Sequence, residues 1–103
     1  MTRQEQNDRV AALFADILRQ MRGKNEAYAS EQNALRNFED GAALMGVTPA
    51  EALFAWAGKH IVSVRRMVSD GREYPPAVWR EKCGDIIAYA AILYAMKAEG
   101  RRP

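Results

Sequence analysis

The side chains of this chain best suited to chemistry are a few polar residues set at helical spacing. Glu81 and Asp85 lie four residues apart, hence on one helix face, and Tyr89 follows a turn later. Asp85 opens an apolar run, where an ionised carboxylate is costly unless it is paired or bound to a metal. One reading makes Glu81 and Asp85 ligands of Mg²⁺, an ion that needs few protein carboxylates when substrate phosphates fill the rest of its shell. Another makes Asp85 a hydrogen-bond acceptor for a ligand. The structural alternative is a salt bridge to a basic residue on a neighbouring helix.

A second group begins at Lys59-His60 and continues through Ser63, Arg65 and Arg66. Lys59, Ser63 and Arg66 share a helix face and could meet phosphate oxygens together. The same stripe also reads as the solvated side of an amphipathic helix, and His60 as a histidine at the edge of the core. The third group is the stretch Lys24-Asn25-Glu26-Ala27-Tyr28 with Asn33 and Asn37, the two asparagines four residues apart. Asparagine is a mediocre helix former, so two on one face point either to base recognition or to satisfying nearby backbone. Cys83 has no evident cationic activator and reads as packing.

The familiar catalytic signatures are missing from the sequence. It holds no phosphate-cradling glycine loop, no paired-cysteine metal site and no His-Glu-x-x-His. With one histidine and one cysteine, nucleophilic triads have little to draw on.

Four helices must position these residues, and the chain is predicted to be all-α, a compact bundle forming a single domain over residues 1–103. The first helix is expected over Glu5 to Arg22, with Val10, Leu13, Phe14, Ile17, Leu18 and Met21 at helical spacing and Gly23 as its stop. The second is expected from about Glu31 to Leu44, capped by Ser30 and ended by Gly46, with Leu35, Phe38 and Ala42 inward. Thr48-Pro49-Ala50-Glu51 is the clearest local signal: a cap, a proline at the first helical position and a glutamate three residues after the cap. That third helix should reach Ser69, burying Leu53, Ala57, His60 or Ile61, Val64, and Met67 or Val68. Asp70-Gly71 marks a turn, and Tyr74-Pro75-Pro76 delays the last helix until Pro76 can begin it. This helix, expected to end at Gly100, is apolar nearly all round from Ile86 to Met96. Such a helix sits in the middle of a bundle or in a subunit interface, and in a domain with so little other structure to wrap it both at once are expected.

Composition bounds the function classes. The chain has 103 residues, 49% of them hydrophobic and 27% charged, as in an ordinary globular domain. A net charge of +2, from 15 basic and 13 acidic residues, is too balanced to argue for direct nucleic-acid binding. Met1 to Asp8 lacks the apolar core of a secretory signal. The run from Ile86 to Met96 is about half of the ~20 residues that span a bilayer. The lone cysteine suits a reducing bacterial cytosol, and no membrane partner is expected.

The succession Lys24-Asn25-x-x-Tyr28, Asn37-Phe38, Gly-Val-Thr-Pro-x-Glu, Lys59-His60 and Trp79-x-Glu81-Lys82-x-x-Asp85-x-x-x-Tyr89 resembles small helical phage and prophage proteins. These are the nucleotide-modification-associated domain group and, more distantly, the MazG-like all-α nucleotide pyrophosphohydrolases. The likeness covers roughly Met21 to Met96. It implies an often oligomeric helical protein of phage nucleotide metabolism or base modification, with Lys24, Tyr28, Asn37, Lys59, Asp85 and Tyr89 at recurring positions. MazG-like enzymes hold Mg²⁺ between a Glu-x-x-Glu pair and a Glu-x-x-Asp pair. Here Glu39 and Asp40 are adjacent and Glu81 and Asp85 are four apart, so that four-carboxylate site cannot be assembled.

Two functions from different classes follow as expectations. In the first, the chain binds a nucleotide: Lys24, Lys59 and Arg66 meet phosphates, Tyr28 or Trp79 stacks on the base, and Asn33 and Asn37 read its edge. Asp85, with Glu81, then orients Lys59 or holds Mg²⁺. In the second, the chain is a non-enzymatic homo-oligomeric interaction protein, and Lys59 and Asp85 form a structural ion pair. A sponge that sequesters a signalling nucleotide without turnover lies between the two.

Overall fold

Thr2 starts the first helix through a reciprocal pair of bonds. Its Oγ1 accepts from the Glu5 amide at 3.1 Å, and its own amide donates to Glu5 Oε2 at 3.2 Å. From there α1 runs Arg3–Tyr28. The computed structural model describes residues 1–28 and 35–99, with side chains over 1–23 and 35–99. Gly23 was expected to end α1, but the helix passes through it. Among the described residues only Gly46 and Gly71 adopt positive φ. The helix-forming Lys24, Glu26 and Ala27 that follow offset a glycine's cost of about 1 kcal/mol.

The second helix, α2, is Arg36–Met45, shorter than predicted. It starts at Leu35, whose carbonyl accepts from the amides of Phe38 and Glu39. The expected cap Ser30 lies outside the described residues. Gly46 ends α2 in the left-handed region at φ 70°, and the Gly46 and Val47 amides both donate to the Ala42 carbonyl.

The third helix, α3, is Pro49–Ser69 and has the predicted start. Thr48 Oγ1 accepts from the Glu51 amide at 3.2 Å, and Glu51 Oε1 accepts from the Thr48 amide at 3.0 Å. Asp70 and Gly71 make the turn out of α3, with Gly71 at φ 73°. Asp70 Oδ1 accepts from the Arg72 amide, and the Tyr74 hydroxyl donates to Asp70 Oδ2. The last helix, α4, is Pro76–Ala98. Tyr74, just before its cap, meets Trp79 edge-on at 5.9 Å, an apolar staple across the helix start. The expected stop Gly100 lies outside the described residues.

The described residues form four helices and no strand, an all-α bundle. In it α4 packs against both α1 and α3, and α2 packs on α3 with Phe38 reaching Tyr89 of α4. The α1·α4 crossing is close at Gly84, where an added Cβ would lie 3.5 Å from Ile17. Arg80 Nη1 on α4 reaches Asp16 Oδ2 on α1 at 3.2 Å, and Arg19 pairs with the same carboxylate.

Among the described residues the core is thin: Ile17, Phe38, Ala42, Ala52, Leu53, Ala57 and Met67, of which Leu53 is the one large side chain fully buried. On α3 the two undecided positions resolve toward His60 and Met67. His60 is half-buried and Met67 buried, while Ile61 and Val68 are exposed. The apolar run of α4 sits mid-bundle, yet only Gly84 of that helix is fully buried, and Tyr94 is 70% exposed. The chain measures 43 × 29 × 27 Å with a radius of gyration of 15.6 Å. A compact domain of this length has about 13 Å. No helix among the described residues is long and apolar enough to cross a membrane.

Candidate functional site

Two pairs at i, i+4 spacing face each other across the α3·α4 contact. Trp56 and His60 are the pair on α3; Asp85 and Tyr89 are the pair on α4. His60 Nδ1 lies 3.4 Å from Asp85 Oδ2, and the imidazole lies 5.3 Å from the Tyr89 ring. Phe38 enters from α2, at 5.3 Å from Trp56 and 6.5 Å edge-on from Tyr89. Gly41, one turn along α2, has no room for a side chain, because an added Cβ would fall 2.7 Å from the Trp56 indole. Three helices thus converge on four rings and one carboxylate.

The group is half open to solvent, with His60 and Asp85 side chains 19% and 21% exposed. Partial burial pushes the Tyr89 phenol above its ordinary value, and the negative charge of Asp85 adds to the shift. At 3.4 Å the imidazole–carboxylate contact is longer than a good hydrogen bond and acts as an ion pair when His60 is protonated. Nucleophilic chemistry would need a hydroxyl or thiol on the imidazole. Among the described residues neither Ser63 nor Cys83 is hydrogen-bonded to His60.

Of the residues singled out in the sequence, Asp85 and Tyr89 come together here. Lys59 does not join them: it is exposed, and the carboxylate it was expected to engage pairs with its neighbour His60. The reason is angular, since adjacent helical residues point about 100° apart. Glu81 is exposed a turn before Asp85, and among the described residues no three His, Cys, Asp or Glu side chains gather as a metal site. Asn37 is exposed in the first turn of α2. Asn33 lies outside the described residues, as do the side chains of Lys24 and Tyr28, whose backbone ends α1. Trp56 is a partly buried packing anchor, and Trp79 belongs to the staple at the start of α4.

Phe38, Trp56 and Asp16 were not chosen as site residues. For the first two the signal was present, as a helical spacing that puts Phe38 beside Ala42 and Trp56 beside His60. A separate apolar depression, lined by Ala50, Glu51, Phe54, Ala55 and Leu93, contains none of the candidate residues. Comparison with protein-family models, with curated proteins and with solved structures finds no match.

Proposed function

We propose that this chain is a self-associating interaction protein, a helical subunit that completes its apolar burial against further copies of itself. The observation that carries the reading is the apolar surface that the described residues leave open. Phe54, Val62, Val68 and Tyr94 are each more than half exposed. Apolar surface on that scale marks association. Sedimentation velocity from low to high micromolar concentration should give a mass at least twice 11.6 kDa. A monomer across the whole range would end this reading.

Nucleotide binding is the second reading, favoured by the half-open group of His60, Asp85 and Tyr89 beside Trp56. It agrees with the resemblance to phage nucleotide proteins, and Mg²⁺ would then enter with the phosphates. A thermal-shift screen of nucleoside mono-, di- and triphosphates and cyclic nucleotides, with and without Mg²⁺, tests it. Binding raises the melting temperature by mass action, and Asp85→Asn should abolish the rise. No rise at millimolar ligand would remove this reading and leave the first untouched.

A further inference from the structure

Five residues of α3 follow one another at alternating steps of four and three: Phe54, Gly58, Ile61, Arg65 and Val68. That is the spacing by which one helix lays a continuous seam against another. The three apolar members are all on the outside, Phe54 at 65%, Ile61 at 46% and Val68 at 71% exposure. Gly58 sits among them with nothing within 4 Å of where its Cβ would be. Among the described residues no other helix covers these three side chains.

We infer that α3 pairs with α3 of a second copy, antiparallel about a twofold axis at Ile61, so that Phe54 packs on the partner's Val68. This rests on the self-association reading and specifies its interface. The seam is self-complementary in this orientation. Phe54 and Val68 stand seven residues to either side of Ile61, about 10 Å along the helix, and exchange places under the twofold. Arg65 comes within one residue of the partner's Gly58, where the missing side chain leaves room for its aliphatic stem.

A parallel pair fails on the same residues, because it sets Arg65 against the partner's Arg65 in the middle of the seam. In the antiparallel pair those two charges are about 12 Å apart along the axis. A foreign helix could fit the apolar line, but a second copy brings its own Arg65 stem to within one residue of the gap at Gly58. One patch that serves both partners is what a twofold dimer needs. Val62 and the depression walled by Ala55 and Leu93 flank the seam and widen the contact.

The test is sedimentation of the full chain and two variants, with helicity checked by circular dichroism. Ile61→Arg places a charge on the axis at a position already exposed in the monomer, so the fold survives. The dimer dissociation constant should rise about 100-fold or more, as for a central interface residue. Phe14→Arg, on the exposed face of α1, should leave the dimer intact. An Ile61→Arg protein that remains as dimeric as the parent overturns the seam while self-association stands. A monomeric parent overturns both. A positive readout comes from Ile61→Cys in a Cys83→Ser background, oxidised with glutathione disulfide: each axial thiol meets its symmetry mate, and a disulfide-linked dimer forms. Lys59→Cys, on another side of α3, should stay uncross-linked, and the reverse pattern overturns the proposal.

Discussion

Gly41 and Tyr89 are the residues at which single atoms decide most. An alanine methyl at Gly41 would stand 2.7 Å from an indole that Phe38 holds on another side. The ring is no flexible chain end and must be displaced as a unit. Overpacking of this kind costs about 1–3 kcal/mol, against about 1 kcal/mol regained in helix propensity. Gly41→Ala should therefore lose about 1 kcal/mol in urea unfolding at fixed protein concentration, with a changed Trp56 emission. Tyr89 governs alkaline behaviour. Its phenol is held above the ordinary value by burial and by Asp85, so the native state keeps its proton after the unfolded chain has released its own. Stability from this group is complete below pH ~10 and falls as pH rises toward the native value. Tyr89→Phe should flatten the loss of melting temperature above pH ~10, relative to the parent, and leave neutral pH nearly unchanged. Tyr74, also shifted upward through its bond to Asp70, remains in both proteins and cancels in the comparison.

Helices with a complete local signal were legible residue by residue. Thr48, Pro49 and Glu51 set the start of α3 by chemistry contained within four residues, and Gly46 and Gly71 take the left-handed conformations their turns require. Thr2 and Glu5 carry the same reciprocal signal at the start of α1, two residues earlier than periodicity alone suggested. The miss at Gly23 has a different cause. A glycine ends a helix only if the residues beyond it have somewhere better to go, and Lys24, Glu26 and Ala27 favour helix. Because Gly23 is exposed within α1 with open space around its Cβ position, Gly23→Ala should stabilise the chain by about 0.5–1 kcal/mol in urea unfolding. No gain would mean that α1 does not persist past that point in solution. The site was less legible than the helices. Asp85 and Tyr89 were readable as a pair because their spacing lies within one element. Their meeting with His60 rather than Lys59 depends on which face α3 turns toward α4, and a sequence with both residues adjacent leaves that open.

For the whole molecule, the ratio of surface to core sets the thermodynamics. With Leu53 alone among the large side chains of the described residues fully enclosed and a radius of gyration near 15.6 Å, the isolated chain offers a modest apolar reward for the entropy of ordering four helices. If the remaining burial is made between copies, unfolding is coupled to dissociation and the melting temperature depends on protein concentration. The size of that dependence follows from general values. A tenfold concentration change is worth about 1.4 kcal/mol per dimer. Unfolding two chains of this length carries about 0.4 kcal/mol/K of entropy. Calorimetry should therefore show a rise of about 3 °C per tenfold increase in concentration, from the same ratio. Ile61→Arg should remove the slope and lower the transition to that of the separated chains, while Phe14→Arg keeps the slope. A transition independent of concentration would mean that the exposed face of α3 contributes nothing to stability and that the thin core alone holds the fold.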